Sequence, residues 1–213
     1  MPFFVTPNVI AIVVLTVLLV SSFMALFRRM GGARKGDIVV LKLRENIDSV
    51  DKVLEIVHLP FVLEVAVDQL GHGPICYIAV AAKHSKRVLN ELSAEEISDY
   101  ELYYPGGVHM GAYLKGERAL ADMDISKIDF SEVNEIGEGA VVQFVFHKKV
   151  GRKFEVNIRI LISAPSSYQA KEILSRIKSS MPSVKLVEVS NTEFLTRVNS
   201  REFEPKESMT LTA

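Results

Sequence analysis

An almost unbroken apolar run fills residues 8–27. It is interrupted by Thr16, Ser21 and Ser22, whose hydroxyls can bond to carbonyls of the same helix. About 20 apolar residues at about 1.5 Å of rise each cross a hydrocarbon core about 30 Å thick. The pattern therefore predicts an uncleaved transmembrane anchor within residues 1–30. A cleaved signal peptide is the alternative, but such peptides carry their positive charge before the apolar run.

Positive charge directly follows the apolar run. It is carried by four side chains, namely Arg28, Arg29, Arg34 and Lys35. Nothing charged precedes the run except the N-terminal amine, and basic residues beside a span favour the cytoplasmic side. We therefore predict a basic linker at residues 31–36 and a single-pass protein of the inner (plasma) membrane that contacts membrane lipid. The N terminus is expected outside and residues 28–213 in the cytoplasm.

Beyond the linker, short β-branched runs alternate with helical patterns. Four runs are typical of strands: residues 37–44, 61–67, 75–81 and 98–104. Two helices fit between them: one after residue 48 that ends at Pro60, and one over residues 85–92. The order strand, helix, strand, strand, helix, strand predicts a ferredoxin-like module.

A second set of patterns repeats this order. Strict alternation predicts a hairpin with strands over residues 140–146 and 153–162, and apolar residues at helical spacing predict a helix over 168–181. The remaining elements are a weak strand at 112–116, a helical or loop stretch at 125–136 and a closing strand at 184–189.

These patterns predict an α+β fold in which one transmembrane helix precedes two ferredoxin-like βαββαβ modules. The modules are expected at residues 37–105 and 108–190, with a hinge at Pro105, Gly106 and Gly107. Residues 191–213 are polar and irregular, and we predict an extended tail there.

Composition narrows the function. The formal net charge is −1, with 25 basic and 26 acidic residues, so no strong field points to nucleic acid. The one cysteine, Cys76, lies in an apolar run and is predicted to be a buried small hydrophobe. A single cysteine allows no disulfide within the chain, which agrees with a reducing compartment.

Motifs for catalysis are missing from the sequence. Residues 31–36 are followed by Asp37, where a phosphate-binding loop needs Lys and then Ser or Thr. The histidines lack metal-ligand spacing, no G-x-S-x-G motif occurs, and Glu64 and Asp68 are predicted to be solvated edge carboxylates. We therefore predict no enzymatic activity, no metal or other cofactor and no small-molecule ligand.

Two groups of side chains are candidates for docking a partner. Aromatic residues end the predicted fourth strand: Tyr100, Tyr103 and Tyr104. Basic residues crowd the predicted hairpin, namely Lys148, Lys149, Arg152 and Lys153, with Arg159 further along the same strand. Half-buried strand tyrosines and a solvated basic face are the plain alternatives. Anionic lipid headgroups are another ligand that the basic group suits.

Three segments carry a resemblance to a known family. They are residues 137–146, residues 153–174 and residues 208–213. Together they resemble the membrane-anchored N-terminal region of conjugation-type (type IV secretion) ATPases of the HerA/FtsK-like kind. In that family a transmembrane helix and ferredoxin-like modules precede a RecA-like motor. The sequence contains no Walker A or Walker B motif, so the resemblance implies an anchoring and assembly module without ATP hydrolysis.

The function expected from the sequence is a non-catalytic, membrane-anchored assembly or docking module of a type IV secretion or DNA-transfer ATPase system. Its expected partner is a P-loop motor ATPase or a second copy of the chain. One alternative is a pilus or type II secretion assembly-platform subunit. Another is a membrane-surface enzyme whose site the sequence does not reveal.

Overall fold

A computed structural model describes residues 38–45, 47, 49–67, 71–100, 107–136, 139–181, 184–190 and 192–213. The apolar run at 8–27 and most of the predicted hinge lie outside these residues. Residues Val39–Ala213 form one compact unit.

The strands that the structure describes all belong to one ten-stranded sheet. They are β1 (Ile38–Leu43), β2 (Phe61–Val67), β3 (Ile75–Ala81), β4 (Ala94–Ile97), β5 (Val108–Lys115), β6 (Glu117–Ala119), β7 (Gly139–Val150), β8 (Lys153–Ala164), β9 (Lys185–Val189) and β10 (Ser208–Thr212). Most of the longer strands are rich in valine, isoleucine and phenylalanine, which fit a pleated surface. The hairpin predicted at 140–146 and 153–162 is present, and both of its strands are longer than predicted.

The sheet runs β4-β1-β3-β2-β7-β8-β10-β6, and β5 lies between β8 and β9. Strand β8 therefore pairs along one side with β7 and along the other with β10 and then β5. The two halves of the chain meet where β2 pairs antiparallel with β7. That register extends from Phe61 opposite Phe146 to Val67 opposite Ala140.

The prediction of two separate ferredoxin-like modules is wrong, because the pairing of β2 with β7 merges the halves into one sheet. Every residue of β2 is buried, and so are residues 139–146 of β7. An apolar strand left at a sheet edge would expose unpaired backbone groups and promote aggregation. Pairing the two strands removes both edges, which explains why the halves join here.

The membrane assignment is also corrected. Among the residues that the structure describes, no helix has both the length and the apolar character needed to cross a bilayer. The span predicted at residues 8–27 lies outside the described residues. The single-pass topology, the inner-membrane location and the cytoplasmic placement of residues 28–213 are therefore not retained.

Helices cover the two faces of the sheet unequally. The described helices are α1 (Val50–Ile56), α2 (Ala82–Glu91), α3 (Ser131–Ile136), α4 (Ser167–Ser180) and α5 (Thr192–Ser200). Helices α1 to α4 place their buried apolar residues against one face and form the main core with side chains such as Leu63, Phe144 and Ile160. Helix α5 packs Phe194 and Val198 against the second face, next to Val141 and Leu161.

The chain after residue 191 is ordered, so the predicted extended tail is wrong. Helix α5 is followed by a 3₁₀ turn at Pro205–Glu207 and by β10, which lies between β8 and β6. Phe194 and Val198, four residues apart, share one face of α5, and Met209 and Leu211 alternate along β10. Both patterns are too short to stand out among polar neighbours. We call residues 192–212 the C-terminal strap.

The fourth strand of the first half is also displaced from its predicted position. Strand β4 occupies Ala94–Ile97 and pairs with β1, whereas the prediction places it at residues 98–104. Residues 98–100 follow the strand without regular structure, and residues 101–104 lie outside the described part of the chain.

Gly111 on β5 is the contact point for the strap helix. A Cβ at this position would overlap the Phe194 ring and lie 3.0 Å from the carbonyl oxygen of Val189. We expect Gly111→Ala to lower the free energy of unfolding by about 1–3 kcal/mol, the usual cost of overpacking. Urea denaturation measures this change. Gly73→Ala is the control, since a Cβ there meets nothing within 4 Å; an equal loss in both variants would contradict the account.

Candidate functional site

Three polar side chains lie in a row across the middle of the sheet. Glu64 on β2 is opposite Gln143 on β7, and Gln143 is opposite Arg159 on β8. All three are fully buried, and they lie on the second face of the sheet. Burying a polar or charged group costs free energy unless hydrogen bonds replace its water. The partners of this polar row therefore decide whether the sheet is stable.

The C-terminal strap supplies the partners of Arg159. The guanidinium Nε donates to Oε2 of Glu207 at 2.7 Å, and Nη1 donates to the backbone carbonyl of Glu202 at 2.7 Å. From the sheet, Oδ1 of Asn157 accepts from Nη2 at 3.1 Å. The second carboxylate oxygen of Glu207 accepts from Arg197 at 2.7 Å. We call this group the Arg159 node.

The strap also supplies a partner for Glu64. Arg201 donates to the two carboxylate oxygens of Glu64, each at 3.1 Å. The same guanidinium donates to both oxygens of Asp99 at 3.0 and 2.8 Å. The hydroxyl of Tyr100 donates to Glu64 at 2.8 Å. We call this group the Glu64 node.

Gln143 joins the two nodes. Its amide Nε2 donates to Glu64 at 2.7 Å and to the backbone carbonyl of Val198 in α5 at 2.9 Å. Its amide oxygen accepts from Arg159 at 3.3 Å. The carboxylate on one side and the guanidinium on the other fix the orientation of the amide group. Gln143 therefore links both nodes to the strap helix.

Arg201 is held in an unfavourable backbone conformation. Its φ is +57°, in the left-handed region that glycine normally occupies at the end of a helix. The N–H of Arg201 donates to the carbonyl of Val198, and the N–H of Glu202 donates to that of Arg197, which is the Schellman pattern. A side chain in this conformation costs about 1–2 kcal/mol. Glycine would have no side chain to pair with Glu64 and Asp99, and this explains why an arginine occupies a position that usually holds glycine.

The network joins three arginines to four carboxylates: Arg159, Arg197, Arg201, Glu64, Asp99, Glu193 and Glu207. Burial lowers the pKa of Arg159, and the attraction of Glu207, with a smaller contribution from Glu204, does not fully offset this effect. Burial also opposes the charge of Arg201, but Glu64 and Asp99 together outweigh it, so the pKa of Arg201 is raised.

Tyr100 closes the network at its outer side. Its ring stacks on Tyr77 with 4.2 Å between centroids. Burial, together with the neighbouring charge of Glu64, raises the pKa of Tyr100 well above its usual value. The tyrosine therefore stays neutral and keeps donating its proton to Glu64.

Each charged group of this network is engaged by an oppositely charged partner. Glu64, predicted to be a solvated edge carboxylate, instead lies buried at the centre of the sheet, and Asp68 lies outside the described residues. Cys76 is buried as predicted, and burial raises the pKa of its thiol.

The predicted docking residues separate in the structure. Tyr100 belongs to the buried network, while Tyr103, Tyr104 and the basic residues Arg28, Arg29, Arg34 and Lys35 lie outside the described part of the chain. Arg159 also belongs to the network. Four members of the predicted basic group remain together at the exposed tip of the β7–β8 hairpin: Lys148, Lys149, Arg152 and Lys153.

Outside the network, the described polar side chains considered next lie at the surface. The His58 and His84 rings lie 5.1 Å apart between centroids, and Nε2 of His58 is 3.1 Å from a guanidinium nitrogen of Arg87. Within the described ranges, no cluster of three or more His, Cys, Asp or Glu side chains is placed to hold a metal ion. Two grooves of about 530 and 340 Å³ share Asp51 and Leu120 in their walls.

Arg201 is expected to contribute strongly to stability. Arg201→Met keeps a side chain at the left-handed position but leaves Glu64 buried without its cation, and we expect a loss of about 3–5 kcal/mol in the free energy of unfolding. Arg44→Met is the matched control, because the pair of Arg44 with Glu95 is exposed and should contribute about 1 kcal/mol or less. Chemical denaturation of both variants checks this, and similar losses would refute the role of Arg201.

Tyr100 is expected to make the fold sensitive to alkali. Its pKa is higher in the folded protein than the value of about 10 in the unfolded chain, so the unfolded chain loses its proton first. Stability is therefore fully present below about pH 10 and falls above it, by about 1.4 kcal/mol per pH unit from this group. Between pH 9 and 11 the loss from this group sums to about 1.4 kcal/mol, and denaturation over that range should show a loss smaller by that amount in Tyr100→Phe. Identical slopes would contradict the assignment.

No protein-family model matches the chain, and no curated protein matches it.

Proposed function

We propose that this domain is a non-catalytic assembly module that docks a partner protein at the tip of the β7–β8 hairpin. The partner implied by the sequence resemblance is a P-loop motor ATPase of a conjugation-type secretion system. The proposal is supported by the paired charges of the network, which hold the fold, and by the exposed charges of the hairpin.

The observation that carries the proposal is the length of the hairpin. Strand β2 accompanies β7 only as far as Phe146, and a register shift follows between Phe146 and Lys148. Residues 147–150 therefore extend past β2, and in the described part of the chain no strand pairs with their outer side. Val150 at the end of β7 is 67% exposed. The tip of the hairpin therefore presents Val150 and its charged neighbours to solvent.

The tip keeps free positive charge. Lys148 pairs with Glu155 at 2.9 Å and Lys153 pairs with Glu117 at 2.6 Å. Lys149 lies over the Phe154 ring at 4.8 Å from its centroid, and it has no carboxylate partner in the described residues. Arg152 likewise has no side-chain ion pair there. These two cations favour an acidic surface on the partner, which would accelerate association and fix its orientation.

Pairing of sheet edges is less well supported as a means of assembly. The outer strands β4, β6 and β9 are three to five residues long. Each carries charge: Glu95 and Glu96 on β4, Glu117 and Arg118 on β6, Lys185 and Glu188 on β9. Short charged edges are a common protection against strand addition. The hairpin tip is therefore the better docking surface.

Site-specific photo-crosslinking in cells tests this function. A photoreactive amino acid at Val150 should crosslink to a P-loop ATPase, whereas the same group at Tyr168, which is 75% exposed on α4, should not. The double variant Lys149→Glu, Arg152→Glu should reduce the yield at least about tenfold. Lys171→Glu, Lys178→Glu on α4 is the charge-matched control. Crosslinks only to a second copy, or equal crosslinking at both positions, would refute the proposal.

A further inference from the structure

We infer that His58 and His84 form a surface site for a divalent transition-metal ion such as Zn²⁺. The sequence gives no sign of such a site, because the two histidines belong to different elements and only the fold brings them together. The inference does not depend on the docking function proposed above.

Two helices hold the histidines side by side at the surface. His58 follows the end of α1, and His84 lies in the first turn of α2. Val53 of α1 and Val88 of α2 are buried in the main core, so both helices have defined positions. His58 is exposed and His84 is half-buried, and an ion can therefore reach both rings from solvent.

The distance between the rings suits one shared ion. The ring centres of His58 and His84 are 5.1 Å apart, and the ring planes are inclined by 51°. With a zinc–nitrogen distance of about 2 Å, two imidazoles on one tetrahedral ion have ring centres about 5 Å apart. Imidazole nitrogen is a preferred ligand of Zn²⁺, Cu²⁺ and Ni²⁺, whereas Mg²⁺ and Ca²⁺ prefer oxygen. The pair therefore selects the transition metals.

Both rings are in the form that binds a metal. A guanidinium group has only donors, so Nε2 of His58, which lies 3.1 Å from Nη1 of Arg87, accepts a hydrogen bond. His58 is therefore neutral, with its proton on Nδ1. Desolvation, together with the neighbouring Lys83 and His58, lowers the pKa of His84 and keeps that ring neutral at pH 7. A neutral imidazole offers the lone pair that a metal ion requires.

Arg87 competes with the ion for Nε2 of His58. Its Nε donates to Glu91 at 2.8 Å while Nη1 lies against the ring. Both partners of this ion pair are exposed, so the pair contributes little and Arg87 can turn aside. Within the described residues, no group of three or more possible ligands surrounds the histidines. Water therefore completes the coordination, and the ion exchanges readily.

Isothermal titration calorimetry of the full chain, without a polyhistidine tag, tests the inference. Zn²⁺ should bind saturably, with one ion per chain, and Mg²⁺ should not bind. His58→Asn and His84→Asn should each weaken Zn²⁺ binding at least about tenfold, because each removes one of the two protein ligands. His72→Asn is the control, an exposed residue in the turn before β3 that should leave the affinity unchanged. No saturable Zn²⁺ binding, binding that survives both substitutions, or an equal loss in the control would overturn the inference.

Arg87→Met provides a test in the opposite direction. It keeps the apolar stem and removes the competing cation, so we expect Zn²⁺ to bind at least about threefold more tightly. Lys86→Met is the charge-matched control, because Lys86 is an exposed cation on the same helix. An unchanged or weaker affinity in Arg87→Met, or the same gain in both variants, would contradict binding at Nε2 of His58.

Discussion

The fold depends on the ion pairs that compensate for the lost hydration of two buried charges, Glu64 and Arg159, at the centre of its sheet. A buried ion without a partner costs several kcal/mol. Among the described residues, the oppositely charged partners of Glu64 and Arg159 both come from the strap. Helix α5, the turn at Arg201 and strand β10 are consequently placed where Arg201 and Glu207 meet their partners. The left-handed conformation of Arg201 is locally unfavourable, and the ion pairs that it allows offset its cost.

The same network explains how two halves of the chain act as one domain. Strands β2 and β7 merge the halves through backbone pairing, and the polar row crosses that junction from Glu64 to Gln143. The strap then bonds to both halves on the second face. Lys149 and Arg152 at the hairpin tip lie outside this network, and the docking proposal is based on them.

Local patterns in the sequence predict much of the secondary structure but not its assembly. The β7–β8 hairpin and α4 follow from alternation and helical spacing within single segments. The junction of β2 with β7 joins strands about 80 residues apart, and no local pattern encodes that choice. One signal of the network was present: Glu64 and Gln143 are the only polar residues within their buried apolar runs. Their partners could not be identified, because Arg201 is separated from Glu64 by 137 residues.

Nuclear magnetic resonance of the arginine side chains tests the central claim most directly. The Nε–H groups of Arg159 and Arg201 donate to buried carboxylates at 2.7 and 3.1 Å. The account predicts that their signals persist after transfer to D₂O, long after the signal of exposed Arg44 has vanished. Loss of the Arg159 and Arg201 signals as fast as that of Arg44 would contradict a buried network at the centre of the sheet.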